Sequence, residues 1–149
     1  EGARSLDELL PALRTALEGR ALVAHVAAVE RSFLGAAFSS HGLEVPEVAA
    51  DTAGMAARLD SLRGRRRRSA RPIGLSALAR SLGLPVHRPH HADGDALTTA
   101  QAFIALAAKL EAFEPVTVGS LRAMGLPRGW RGAGFRGWLR RLAGPGRRR

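Results

Sequence analysis

The chain has 149 residues, 46% of them apolar, no cysteine and a formal net charge of +10. That suits one globular domain with a real core, excludes disulfides and thiolate zinc sites, and fits a reducing cytoplasm. The charge favours acidic partners, nucleic acid above all, although only Lys109 among 23 basic residues is lysine, so part of the arginine excess fits GC-rich coding.

The elements follow in chain order. "SLDELLPALRTALEG" reads as an amphipathic helix, with Ser5 and Glu8 as a capping box and Gly19 as its stop. Leu6, Leu9, Leu10, Leu13 and Leu17 share one face. The chain opens on Glu1 and reaches this helix at once, which suggests a piece of something longer. "ALVAH", residues 21–25, is a continuous apolar run suited to a buried strand. "VERSFLGAAF" returns to helical spacing. Residues 45–50 form a possible second strand, with Pro46 arguing against a central position.

"TAGMAARLDSL" reads as a helix, "RGRRRRSARP" as a charged loop, and "LSALARSLGL" as a short helix. The longest helix is expected over about residues 95–113. Ala96, Leu97, Ala100, Phe103, Ile104, Ala107 and Leu110 supply its apolar stripe. No run reaches the roughly 18 apolar residues that a membrane span needs. From Pro115 to Arg149 there are nine arginines, eight glycines and no acidic residue. This stretch reads as a poorly ordered basic tail.

His90 and Asp95 stand at the mouth of the longest helix. A carboxylate there can hold a divalent metal, and an imidazole can take a proton from water. The competing reading is a polar cap, since aspartate favours the helix N-terminus. Glu30 follows the strand at 21–25 by five residues, near the strand end where α/β sheets place ligands. Its competing reading is a solvated residue on an amphipathic helix.

Taken together, "LVAHVAAVERSFL" and "HHADGDALTTAQAFIAL" resemble the second and third motifs of the DEDDh 3′–5′ exonucleases. That family contains the proofreading epsilon subunit of bacterial DNA polymerase III. The resemblance covers about residues 4–114 and implies an α/β, ribonuclease-H-like fold truncated at its N-terminus. The chain would then be mostly helical, as a partial exonuclease domain over 1–114 followed by the basic tail over 115–149.

The resemblance also implies Mg²⁺ or Mn²⁺ as cofactor, His90 as the water-activating base, and Asp95 and Glu30 as metal ligands. Nucleic acid would be the substrate, DNA ahead of RNA, and a DNA polymerase subunit is a candidate partner. Glu30 stands where the family carries aspartate, and Val26 and Val29 replace its usual Asn and Phe. His91 falls in the register of the tyrosine in the sister DEDDy group, and His90 is preferred. The family's first motif, Asp-x-Glu, occurs nowhere in the chain. With two carboxylates missing, activity of this chain alone is expected to be weak or absent. Asp93 is a substitute third carboxylate without family precedent.

A non-catalytic nucleic-acid-binding module on a degenerate exonuclease scaffold is the alternative, and a partner-docking helical protein is a third reading. Arg65, Arg66, Arg67 and Arg68 are candidate phosphate contacts. Trp130 and Arg131 are candidates for stacking and backbone contact on single strands. His87, His90 and His91 form a weak histidine cluster, for which a structural zinc site is disfavoured without cysteine.

Overall fold

A computed structural model describes residues 4–45, 47–65 and 72–125. Within them the order is α1 (Leu6–Leu17), β1 (Leu22–Ala24), α2 (Ala28–Ser39), β2 (Val48–Asp51), α3 (Thr52–Leu62), α4 (Leu75–Ser81), α5 (Ala92–Glu111) and α6 (Val118–Ala123). The described chain is therefore mostly helical with two strands, a mixed α/β class. The expected strand at 21–25 is the three-residue β1. The possible strand at 45–50 is β2, shifted past position 46 to end on Asp51, and buried throughout.

The strands pair in parallel, with Leu22 opposite Val48, Val23 opposite Ala50 and Ala24 opposite Asp51. A parallel pair needs a crossover, and α2 supplies it. Because Ala24 and Asp51 are partners, both strands end side by side. Each then feeds a helix: β1 enters α2 through residues 25–27, and β2 passes straight into α3.

The main core gathers Met55, Ala56 and Leu59 of α3 against Leu106 and Leu110 of α5 and Leu78 of α4. A smaller cluster of Leu10, Ala37 and Phe38 joins α1 to α2. Ser5 caps α1 by accepting from the Glu8 amide at 3.3 Å, while the Glu8 carboxylate lies 3.7 Å from Arg4. Leu10 is buried, but Leu6 and Leu9 of the same expected face stay exposed.

Two expectations need correction. The longest helix starts at Ala92, three residues before Asp95. Its buried face runs through Thr98, Thr99, Ala102, Leu106 and Leu110, while Leu97 and Ile104 of the expected stripe point outward at 47% and 67% exposure. Thr98 tolerates burial because its hydroxyl donates to the Gly94 carbonyl at 2.8 Å and accepts from the His87 amide at 3.2 Å. A buried polar group with both functions satisfied carries little penalty.

The segment read as the start of the tail also carries structure. α6 has a full capping box between Thr117 and Ser120, and Leu121 and Met124 enter the main core. A Cβ on Gly54 would lie 1.8 Å from the Met124 carbonyl oxygen, so only glycine allows that approach. Residues 126–149 lie outside the described residues.

Candidate functional site

The ends of β1 and β2 meet at Asp51. This carboxylate is 2% exposed. One oxygen accepts from the amides of Ala53 at 2.9 Å, Val26 at 3.1 Å and Gly54 at 3.4 Å. The other accepts from Ala27 at 3.1 Å. Asp51 thus caps α3 locally and also serves the start of α2, whose own N-cap, Ala27, offers no side-chain acceptor. Between the two lies Val26, with φ 63°, a backbone region that β-branched residues rarely enter.

Next to it, His25 joins three segments. Its Nε2 lies 2.9 Å from the Ile73 carbonyl and its Nδ1 lies 2.8 Å from the Thr52 hydroxyl. A carbonyl can only accept, so Nε2 carries hydrogen. In the neutral ring, Nδ1 then accepts from Thr52. Burial lowers the pKa of His25 below 6.5, against the raising influence of the Ile73 carbonyl and the charges of Asp51 and Asp95.

His25 and Val26 belong to one wall of a cavity of about 880 Å³. Val23, His25, Val26 and Glu30 line it from the β1–α2 side, and His90, Asp95 and Thr99 line it from the α5 side. All three residues singled out by the exonuclease resemblance, Glu30, His90 and Asp95, therefore face the same space. Glu30 is half-buried, and its Oε2 is buried without a hydrogen-bond partner. Burial pushes its pKa above 4.5, and the nearby charge of Asp51 adds to that.

On the opposite wall, His90 is exposed, with φ 65°. Its amide donates to Asp95 Oδ1 at 3.3 Å. Asp95 is one turn inside α5, whose N-cap is His91, so Asp95 is not the N-cap that the spacing left open. It reaches back to the chain preceding the helix. Gly94 fixes the loop's position. A Cβ there would lie 2.3 Å from the His87 carbonyl oxygen and 2.7 Å from that of Arg88.

The remaining candidates fall elsewhere. Asp93 is exposed and pairs with Arg88 at 3.2 Å, away from the cavity lining. His87 is turned to Gln101 at 3.0 Å, and the side chain of His91 makes no capping bond. Among the described residues, no group of three or more His, Asp or Glu side chains is arranged to hold a metal ion. Arg65 is exposed, while Arg66, Arg67, Arg68, Trp130 and Arg131 lie outside the described residues. No described helix is long and apolar enough to cross a membrane.

Sequence reasoning missed Asp51 and His25. Asp51 before "TAG" carries a local helix-cap signal, but nothing local announces bonds to residues 24 and 25 positions away. Two carboxylates, Glu30 and Asp95, line one cavity, and one of them has an unsatisfied buried oxygen; oxygen donors of this kind are the ones Mg²⁺ and Mn²⁺ prefer. Comparison with known proteins gives no family model, no curated protein and no solved structure that matches the chain.

Proposed function

We propose that the cavity is the divalent-cation half of a 3′–5′ exonuclease site, on a ribonuclease-H-like scaffold acting on nucleic-acid ends, DNA ahead of RNA. One observation carries this reading: Glu30, His90 and Asp95, spread over 66 positions of sequence, line one cavity beside the ends of two parallel strands. Two of them are carboxylates and the third is a solvent-accessible imidazole.

A Mg²⁺ or Mn²⁺ ion there would supply Lewis-acid polarisation of a phosphate and a more acidic water. Glu30 and Asp95 would hold it. The orphaned Glu30 Oε2 gains a partner in that role, and the cation offsets the penalty of an ionised carboxylate in a half-buried place. His90, on the exposed rim, would accept the proton of the attacking water. Asp95 fixes the backbone of His90 through the amide, so the ligand and the base move together.

Two carboxylates do not make a paired-metal site, and the chain contains no Asp-x-Glu. Nucleotide release by this chain alone is therefore expected to be weak or absent. The test is Mn²⁺ titration of the full chain, reading paramagnetic broadening at Glu30 and Asp95. Broadening lost in Glu30→Gln and Asp95→Asn supports the reading, and none at either residue in the wild type sinks it. Strong Mg²⁺-dependent release from 3′-labelled single strands, abolished by His90→Ala, would overturn the half-site restriction.

The second reading is a non-catalytic nucleic-acid-binding module. The charge of +10 favours it. It predicts affinity for single strands that falls steeply with salt and is indifferent to Mg²⁺ beyond ionic strength.

A further inference from the structure

We infer that Asp51 is a positioning residue for the cavity: by holding the strained turn at Val26 and the amide of Ala27 at the α2 N-cap, it sets where Glu30 stands. An N-cap role in α3 does not account for its contacts. One carboxylate oxygen is given to Ala27 at 3.1 Å, and the other is shared between Val26 and the two α3 amides. Those bonds join residues 25 and 24 positions apart, from the crossover helix back to the second strand.

Three features make the turn depend on this carboxylate. Val26 has φ 63°, which a β-branched residue adopts only when its surroundings enforce it. Ala27 is fully buried, so its amide has no water to turn to. The residue at the α2 N-cap provides no side-chain acceptor of its own. Without Asp51, two amides lose their acceptors and the strained φ loses its restraint.

Glu30 is three residues past Ala27, on the same face one turn along. A shift of the turn is therefore a shift of Glu30. Its Oε2 makes no bond that would hold the side chain against such a shift. Asp51 itself does not line the cavity, so it acts through the backbone and not by touching a ligand. Its negative charge adds to the field at Glu30, which favours any cation that enters. The consequence for cation binding rests on the reading proposed above; the restraint of the turn does not.

The test uses the full chain with Asp51→Asn, Val26→Gly and the double variant. Glycine takes positive φ without strain, so it should relieve the turn of the strain that Asp51 offsets while leaving the α3 cap unrepaired. Asp51→Asn is expected to speed amide exchange at Val26 and Ala27 and weaken Mn²⁺ affinity by roughly 10–100-fold. Adding Val26→Gly should restore most of that affinity while Ala53 and Gly54 continue to exchange fast. Such a rescue is foreign to a residue that only caps α3.

Unchanged Mn²⁺ affinity in Asp51→Asn, or no recovery in the double variant, overturns the inference. If the wild type binds no Mn²⁺, the proposed function fails and the positioning role is judged on the Glu30 carboxyl ¹³C resonance. That resonance should move in Asp51→Asn and return in the double variant; no movement overturns the role. Should Asp51→Asn fail to fold, through-hydrogen-bond couplings from the Val26 and Ala27 amides to the Asp51 carboxyl in the wild type decide it. Their presence supports the restraint and their absence overturns it.

Discussion

Val26 and His90 are both held in the left-handed backbone region, and each donates its own amide to an aspartate, Val26 to Asp51 at 3.1 Å and His90 to Asp95 at 3.3 Å. Both line the same cavity. Strain of this kind persists only where the surroundings over-determine it, and it clusters at ligand sites. The two residues are not equivalent. Histidine enters this region several-fold more readily than a β-branched residue does.

His90 can therefore be tested without breaking its turn. Asparagine tolerates positive φ and keeps the amide that donates to Asp95. His90→Asn should leave stability within about 0.5 kcal/mol of wild type. Mn²⁺ affinity should be unchanged, because the imidazole is assigned to the water and not to the metal. Any Mg²⁺-dependent release of nucleotides should fall by about 10²–10⁴-fold. Loss of Mn²⁺ affinity in this variant would make His90 a ligand instead of a base.

Gly94→Ala should destabilise the chain, although alanine is the better helix former. The added Cβ meets the carbonyl oxygens of His87 and Arg88 at 2.3 and 2.7 Å. Backbone atoms cannot swing aside, so the cost is that of overpacking, about 1–3 kcal/mol. Gly119→Ala is the matched control. Its nearest neighbour is the Thr117 hydroxyl at 3.7 Å, and there alanine should be neutral or stabilising by up to about 1 kcal/mol. Denaturant midpoints read both, and equal behaviour of the two glycines would refute the close approach.

Glu30→Gln should separate folding from cation binding. Burial first, and the Asp51 charge after it, raise the pKa of Glu30. A carboxyl whose folded pKa is raised contributes stability below its unfolded value, here 4.5, and loses it as pH rises through the folded value. At neutral pH the ionised group is a net cost, so glutamine should raise the midpoint there and flatten the decline above pH 4.5. The same substitution should abolish Mn²⁺-induced stabilisation. Lower stability at neutral pH would mean that the Glu30 charge is compensated inside the fold.

The sequence made local features legible and left non-local ones hidden. Five of the six described helices were placed from periodicity and caps, because those signals sit within a turn or two. α6 was hidden by the arginine and glycine around it, although Thr117 and Ser120 form its cap. The buried face of α5 is offset from the apolar stripe because a hydroxyl bonded inside the helix makes Thr98 a core residue, which apolar spacing does not register. For the cavity, the resemblance to exonuclease motifs points to Glu30, His90 and Asp95, which line one space. Asp51 and His25 escaped because their partners lie 24 or more positions away.

His25 leads to the last prediction, a loss of stability on mild acidification. Asp51, Asp95 and the Ile73 carbonyl face the ring and favour its charged form, but burial outweighs them and the pKa falls below 6.5. For a histidine with a lowered folded pKa, the unfolded chain binds the proton first. The stability it contributes is complete above 6.5 and is lost as pH falls through the folded value. Protonation would also turn Nδ1 into a donor, forcing the Thr52 hydroxyl to point to the Ala24 carbonyl, a long 3.4 Å away. Thermal melts between about pH 7.5 and 5 should fall in wild type and fall less in His25→Gln, which starts lower because it loses the ring's two bonds. The four other histidines are common to both proteins, so the difference between the two curves isolates His25. Parallel curves would mean that its ring is as easily protonated in the fold as in the unfolded chain.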